Sequence, residues 1–288
     1  MAAAKKSARP SVGALLRLPA GPVRLSDFDA RATPGFSDGK SAGKEATLDV
    51  ADVLADQQER LYANGRTGGT RSVLLVLQGM DGSGKGGTVT HVVGQVDPQG
   101  VRIASFGKPT KEELAHDFLW RIKRQLPPAG HLGVFDRSHY EDVLVARVRE
   151  LVPRRTWSRR YDSINRWEQS LVASGCTVVK CFLHISPEEQ RARLLARLED
   201  PTKHWKYNPH DLDDRALWPA FTEAYEAALE KCNTDAVPWH VVPADRKWYR
   251  NWAITHILLE HLQGLALQWP KGDFDVEAEK QRVRDARP

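Results

Sequence analysis

The sequence predicts an α/β protein, a three-layer fold in which a mainly parallel five-stranded sheet lies between helices. Three observations carry that expectation. Short, almost continuous apolar runs recur along the chain, as strands buried on both faces do. Segments with helical periodicity and helix-start signals separate those runs. The first run ends in a glycine-rich turn that opens a helix, the strand–loop–helix order of doubly wound sheets.

Taken in order, residues 1–45 are rich in Ala, Gly, Ser, Pro and Lys and read as an extended basic arm, partly flexible at its start. Residues 46–64 put Leu48, Val50, Val53, Leu54, Gln57 and Leu61 near one helical face. "SVLLVLQ" (72–78) is the first strand and "RIASF" (102–106) the second. Residues 110–126 read as one helix, because Thr110 and Glu113 form a capping box. "HLGVFD" (131–136) is the third strand, followed by a helix over 138–151 capped by Ser138 with Glu141. A helix over 157–174 ends at Gly175, and "TVVKCFLHI" (177–185) is the fourth strand. Ser186, Pro187 and Glu189 start a helix over 186–200. A helix over 213–232, disturbed by Pro219, precedes the fifth strand at 239–244 and a final long helix over 245–265. One catalytic domain over 46–270 accounts for these elements, with the arm before it and a tail over 271–288.

The chain has 288 residues, 41% of them apolar, enough for a sizeable core. It has no apolar run of about 18 residues, so no membrane span is expected. The N-terminus lacks the apolar stretch of a secretory signal. Three cysteines without metal-ligand spacing suggest a reducing compartment and a cytoplasmic protein. The net charge is +5, and residues 1–45 hold eight Lys/Arg against four Asp/Glu. The remainder is therefore nearly neutral, which argues against a general nucleic-acid-binding face and leaves room for a local basic groove.

"GMDGSGKGGT" (79–88) nearly matches a Walker A loop, with Gly79 and Gly84-Lys85 at the right spacing. The amides between Gly82 and Gly87, including those of Gly84 and Gly86, can converge on phosphate oxygens, and the helix that follows adds its positive end. Lys85 adds a point charge. Gly86 stands where Ser or Thr would offer Mg2+ a hydroxyl, and Thr88 comes two positions late. Metal must then lean on carboxylates, with Asp81 and Asp136 the suppliers. Alternatives remain a turn without a ligand and an Asp81 folded back onto loop amides.

Asp136-Arg137 ends the third strand, where a Walker B acid belongs, with Arg137 able to clamp phosphates. A strand-end ion pair is the plainer reading. Glu141 and Asp142 read as cap and solvated-face residues, and His139 and Tyr140 as acceptor-pocket or packing residues. Arg193, Arg197, Lys203 and Lys206 lie in a basic segment broken at Asp200-Pro201, with Leu194, Leu195 and Leu198 on one helical face. Such a segment reads as a lid over about 191–210 that closes cations over a transferring phosphoryl, or as an ordinary solvated face. Arg246, Lys247 and Arg250 add charge amid Trp248, Tyr249 and Trp252, which read as core.

"GMDGSGKGGT", "FGKPTKEELAHDFLWR", "FDRSHYEDVLV", "RLEDPTKHWK" and "PWHVVPADRKWYRNW" together resemble the family-2 polyphosphate kinases, over about residues 45–265. In that family Gly follows the Walker lysine. The resemblance implies a P-loop kinase-like fold with a helical lid and an N-terminal extension. It implies Mg2+-dependent (or Mn2+-dependent), reversible phosphoryl transfer between inorganic polyphosphate and nucleotides. Asp81 matches the family's loop aspartate, Lys85 its phosphate-binding lysine, Asp136 and Arg137 its Walker B pair; Gly82, Gly84, Gly86, Gly87 and Thr88 complete the loop. Arg193, Arg197, Lys203 and Lys206 match its lid. "DRSHYEDVLV" departs from the diphosphate-preferring "DRSWYNRAGVE" and is closer to the group accepting AMP as well as ADP or GDP. A homodimer or homotetramer without specific nucleic-acid or membrane partners is implied. The rivals are an ATP-dependent nucleotide or small-molecule kinase and a noncatalytic polyanion- or RNA-binding module.

Overall fold

The computed structural model describes residues 10–287. Its sheet holds β1 (Ser72–Gln78), β2 (Val101–Ser105), β3 (Leu132–Asp136), β4 (Cys176–His184) and β5 (Trp239–Pro243). The order is β2-β3-β1-β4-β5 and every pairing is parallel. All five strands fall within one residue of their expected ends. Around them, in chain order, are α1 (Val12–Leu16), α2 (Gly39–Leu48), α3 (Ala51–Arg66), α4 (Lys85–His91), α5 (Lys111–Leu114), α6 (Trp120–Lys123) and α7 (Val145–Val148). The second half adds α8 (Arg154–Ala173), α9 (Pro187–Glu199), α10 (His210–Ala216), α11 (Trp218–Lys231), α12 (Lys247–Gly264) and α13 (Val276–Asp285).

Both faces of the sheet are covered, which is why β1 is buried throughout. Leu74 and Val76 join Phe135, Trp167, Phe182 and Tyr225 on the α8/α11 side. Val73, Leu75 and Leu77 join Leu54, Leu61, Trp248 and Trp252 on the α3/α12 side. Trp248, Trp252 and Tyr249 are core, as read from sequence. β1 borders both β3 and β4, so the loop leaving β1 opens at the point where the strand order reverses.

Several helices differ from expectation. Residues 10–45 are not an extended arm. They carry α1 and α2, which pack on α12: Glu260 accepts from the Gly13 amide at 3.1 Å, and a side chain at Gly43 would strike the Trp248 ring. Residues 1–9 of the arm lie outside the described residues. In the helix over 46–64, Leu54 and Leu61 are buried as expected, while Leu48 and Val53 face out because the helix restarts at Ala51. The helix over 110–126 is split. Its capping box is present, but Asp117 accepts from the Leu119 amide at 3.0 Å and starts a second short helix. The helix over 138–151 is a 3-10 turn over His139–Asp142 and then α7, because Ser138 bonds the Tyr140 amide. Pro219 falls in the first turn of α11, where it fits, and α10 and α11 are separate helices.

Cys176, Cys181 and Cys232 are free and buried, and burial pushes the Cys181 and Cys232 thiols up to about 12. No helix among the described residues is long and apolar enough to cross a membrane.

Candidate active site

The loop between β1 and α4 takes its shape from glycine. Gly79, Gly82 and Gly84 have φ of +152°, +81° and +106°, values that residues with a side chain rarely adopt. Among the described residues, the amides of Gly82, Gly84, Lys85, Gly86 and Gly87 donate to no protein acceptor. They form a bank of free N–H groups at the crevice. Thr88 is buried, and its hydroxyl donates to the Gly84 carbonyl at 3.3 Å instead of facing outward.

The carbonyls of the same loop are tied down from behind. Gln190 donates to Asp81 O at 2.8 Å. Arg193 donates to Gly82 O at 2.8 Å and Ser83 O at 3.0 Å, and Arg250 to Ser83 O at 3.2 Å. Each peptide plane points its N–H opposite its C=O. Holding the Asp81 and Ser83 oxygens back therefore turns the amides of Gly82 and Gly84 toward the crevice, while the Ser83 amide donates to Met80 O at 3.0 Å. Arg250 also accounts for Gly84, where a β-carbon would fall 1.6 Å from its Nη1.

Arg193 is thus not a mobile lid cation, as the sequence suggested. It is buried, and all its N–H groups are used: the two loop carbonyls, Ala244 O at 2.6 Å, Asp245 O at 2.9 Å, and Glu189 at 2.8 Å. The other basic residues of that segment divide. Arg197 pairs with Asp211 at 3.2 Å and lies close enough to Asp81 to help keep it ionised. Lys203, paired with Asp200, and Lys206, 4.8 Å from the Trp205 ring, are exposed on the turn beyond α9. Leu194 is buried, whereas Leu195 and Leu198 face solvent.

Lys85, Asp81, Asp136 and Arg137 do come together. Lys85 is buried and donates to Gly79 O at 2.8 Å. Burial lowers its pKa, while Asp81, Asp136 and Glu141 all lie close enough to favour its charge. Asp81 pairs with Arg137 at 2.6 Å. Burial pushes the Asp81 carboxyl up, but Lys85 and Arg137 outweigh that and hold it below the usual carboxylate range. Arg137 sits at φ +65°, a left-handed conformation that brings its guanidinium over the loop. Asp136 ends β3 next to Gly86, where an added β-carbon would be 4.0 Å from its Oδ2. Gly86 is therefore not demanded by crowding.

Glu141, Arg250 and Lys247 were not placed in the site from sequence. Glu141, read there as a cap, is drawn into the crevice beside Lys85, Asp81 and Arg137, and burial raises its pKa. Asp142, read there as a solvated-face residue, is held by Arg160 at 3.2 Å and Arg121 at 3.5 Å. Arg250 lies under the loop, and Lys247 beside it is lowered by burial and by the Arg193, Arg250 and Lys203 cations. That crowding of positive charge favours a bound polyanion.

The donor set fits a hard divalent cation. Among the described residues no group of three or more His, Cys, Asp or Glu forms a ready cage. Magnesium is bound by one or two carboxylates together with substrate phosphates and water, which is what Asp81 and Asp136 beside free amides offer.

The sequence model of the family described as Polyphosphate kinase 2 (PPK2) matches residues 38–269. An AMP/ADP-polyphosphate phosphotransferase of Meiothermus ruber is 50% identical, the match covering 90% of this chain and 96% of that protein. An ADP-polyphosphate phosphotransferase of Rhodopseudomonas palustris is 39% identical over 86% of this chain and 89% of its own. A crystal structure of Polyphosphate Kinase 2 from Arthrobacter aurescens TC1 is similar at a TM-score of 0.93 and 49% identity, covering 96% of this chain and 98% of that one.

Proposed function

The chain belongs to the polyphosphate kinase 2 family and is a polyphosphate:nucleotide phosphotransferase, and from that premise we propose how its residues divide the work. The bank of free amides, that of Gly82 and those of Gly84 to Gly87, carries the reading. It holds the end of the polyphosphate chain, with Lys85 beneath, while Lys247 and Lys203 attract the rest of the chain. Asp81 and Asp136 hold Mg2+, or Mn2+ in its place, and the bound ion would neutralise phosphate oxygens as charge shifts among them. Arg137 steadies the phosphoryl group in flight.

An oxygen of the acceptor's terminal phosphate bonds to the terminal phosphorus of polyphosphate. The bond from that phosphorus to the chain breaks, and polyphosphate leaves one unit shorter. Such transfer asks little covalent chemistry of the protein and depends on position and charge. The reverse transfer uses the same groups. Arg197 and the exposed cations Lys203 and Lys206 move inward as the lid closes.

The acceptors are AMP as well as ADP or GDP. The Meiothermus relative's name, AMP/ADP-polyphosphate phosphotransferase, supports the first two. The active form is a homodimer or homotetramer. The test offers polyphosphate and Mg2+ with AMP, ADP or GDP separately and measures the nucleotide formed, with light scattering for mass. ATP from ADP and loss of product on chelation are expected. Acceptance of ADP but not AMP would remove the monophosphate assignment, and full turnover in chelator would remove the metal.

A further inference from the structure

A second charged cluster lies beneath the crevice and touches none of the phosphate-facing groups. Lys180, in the middle of β4, is fully buried. Its ammonium donates to Glu168 at 2.7 Å, to the Tyr140 hydroxyl at 2.9 Å and to the Cys232 carbonyl at 2.6 Å. Its three hydrogens are thereby satisfied. Tyr140 donates onward to Glu168 at 2.8 Å, and His139 Nε2 meets the same carboxylate at 3.1 Å. Glu168 comes from α8, so the circuit ties the turn after β3 to α8, β4 and the residue following α11.

A buried ion pair is weak support for stability, since apolar side chains of similar volume often serve as well or better. The best-attested use of such a group is to fix register. Here the register concerned is short and specific. His139 and Tyr140 are held by the circuit. Two residues before the pinned pair, Arg137 keeps its left-handed φ of +65° and its 2.6 Å contact with Asp81. One residue after it, Glu141 faces Lys85. The Ser138 hydroxyl, between them, accepts from the Tyr140 amide at 3.2 Å. Movement of the Tyr140 ring would therefore carry both crevice residues with it.

We infer that Lys180, Glu168, Tyr140 and His139 are positioning residues for the phosphoryl transfer, setting where Arg137 and Glu141 stand over the loop. The inference rests on reading Arg137 as a group that contacts the transferring phosphoryl. Burial favours neutral His139 and Tyr140, so the cluster is a single Lys–Glu charge pair closed by neutral hydrogen bonds.

Tyr140→Phe keeps the volume and removes two of the hydrogen bonds. Its kcat should fall on the order of tens of fold, as small misplacements at a transfer site do, while KM for polyphosphate and for ADP stays within about twofold. In the substrate-free protein, the Arg137 side-chain N–H resonance should shift. Ile254→Val, in the core on the opposite face of the sheet, serves as a control with reduced melting temperature and unchanged kcat. The double variant Lys180→Met/Glu168→Leu removes the charges together. It should melt below the wild type, since the Tyr140 hydroxyl and the Cys232 carbonyl lose their partners, and lose kcat as the control does not. A Tyr140→Phe enzyme with wild-type kcat, at whatever melting temperature, overturns the inference. So does a folded double variant with wild-type turnover. Product formation by the wild type tests the reaction itself, and only the comparison among variants tests the circuit.

Discussion

Replacing Arg193 by alanine separates two roles that the sequence alone could not. A lid cation lost from solvent would leave stability alone and slow turnover. The structure places Arg193 under the phosphate loop, 7% exposed, with five hydrogen bonds of 2.6 to 3.0 Å to four carbonyls and one carboxylate. Hydrogen bonds to a charged donor contribute about 1.5–3 kcal/mol each and are not additive, and water entering the space recovers part of the loss. Removing one member of a buried charged cluster destabilises by roughly 3–5 kcal/mol. At about 2–4 °C per kcal/mol for a chain of this class, the melting temperature should drop on the order of 10 °C. With Gly82 O released and Ser83 O left to Arg250 alone, the Gly84 amide that follows Ser83 would swing off target. Loss of one aimed donor commonly lowers turnover about 100-fold or more, and the Gly84 amide is the one at stake here. Thermal unfolding by fluorescence and ATP yield from polyphosphate and ADP, both on the same preparation, measure the two effects. A variant with the wild-type melting temperature and only a turnover defect would falsify the buttress role and restore the lid reading.

Asp136→Asn should keep the fold and remove nearly all activity, because the group is half-buried at a strand end and carries no ion pair among the described residues; near-normal rates would take it out of the mechanism. Gly84→Ala should destabilise and inactivate, since its β-carbon would meet Arg250 at 1.6 Å with φ at +106°, whereas Gly86→Ser should melt like the wild type; equal melting temperatures for the two would contradict the packing argument. His240 is pulled from 6.5 to about 4 by burial and by nearby His261. Between those values the unfolded chain binds the extra proton, so His240 contributes stability that is complete above pH 6.5 and lost as pH falls toward 4, up to roughly 3 kcal/mol. His240→Gln should flatten that part of the stability–pH curve, and an unchanged slope in urea titrations would show that another group sets it.

The sheet and the loop were legible because their signals are local. "SVLLVLQ" before a glycine-rich turn reads as a strand buried on both sides, and glycines at 79, 82 and 84 meet positive φ one for one. Ser186 and Pro187 start α9 as their types demand. Asp136 could be placed at the mouth of the crevice from the apolar run over 132–135 that precedes it. What could not be read is whatever depends on distant partners. Arg193 and Arg250 look like surface cations in sequence, and only the approach of α9 and α12 to the loop buries them. Glu141 looked like a helix cap because nothing local shows that Tyr140 turns inward to reach Glu168 and Lys180. The helix over 110–126 failed through Asp117, whose own backbone-capping bond competes with the longer helix.

The grip of the first described helices on α12 bears on how the polypeptide reaches its native state. Ser11 and Gly13 find Glu260 across almost 250 positions of chain, and the strand that α1 touches is the last of the sheet. On a ribosome these early residues emerge long before anything exists for them to hold. They must wait in an unsatisfied state until β5 and α12 appear, so assembly cannot proceed stepwise from the front. Shortening the chain from the front should therefore slow the closing stage of folding while sparing the initial collapse of β1, β3 and β4.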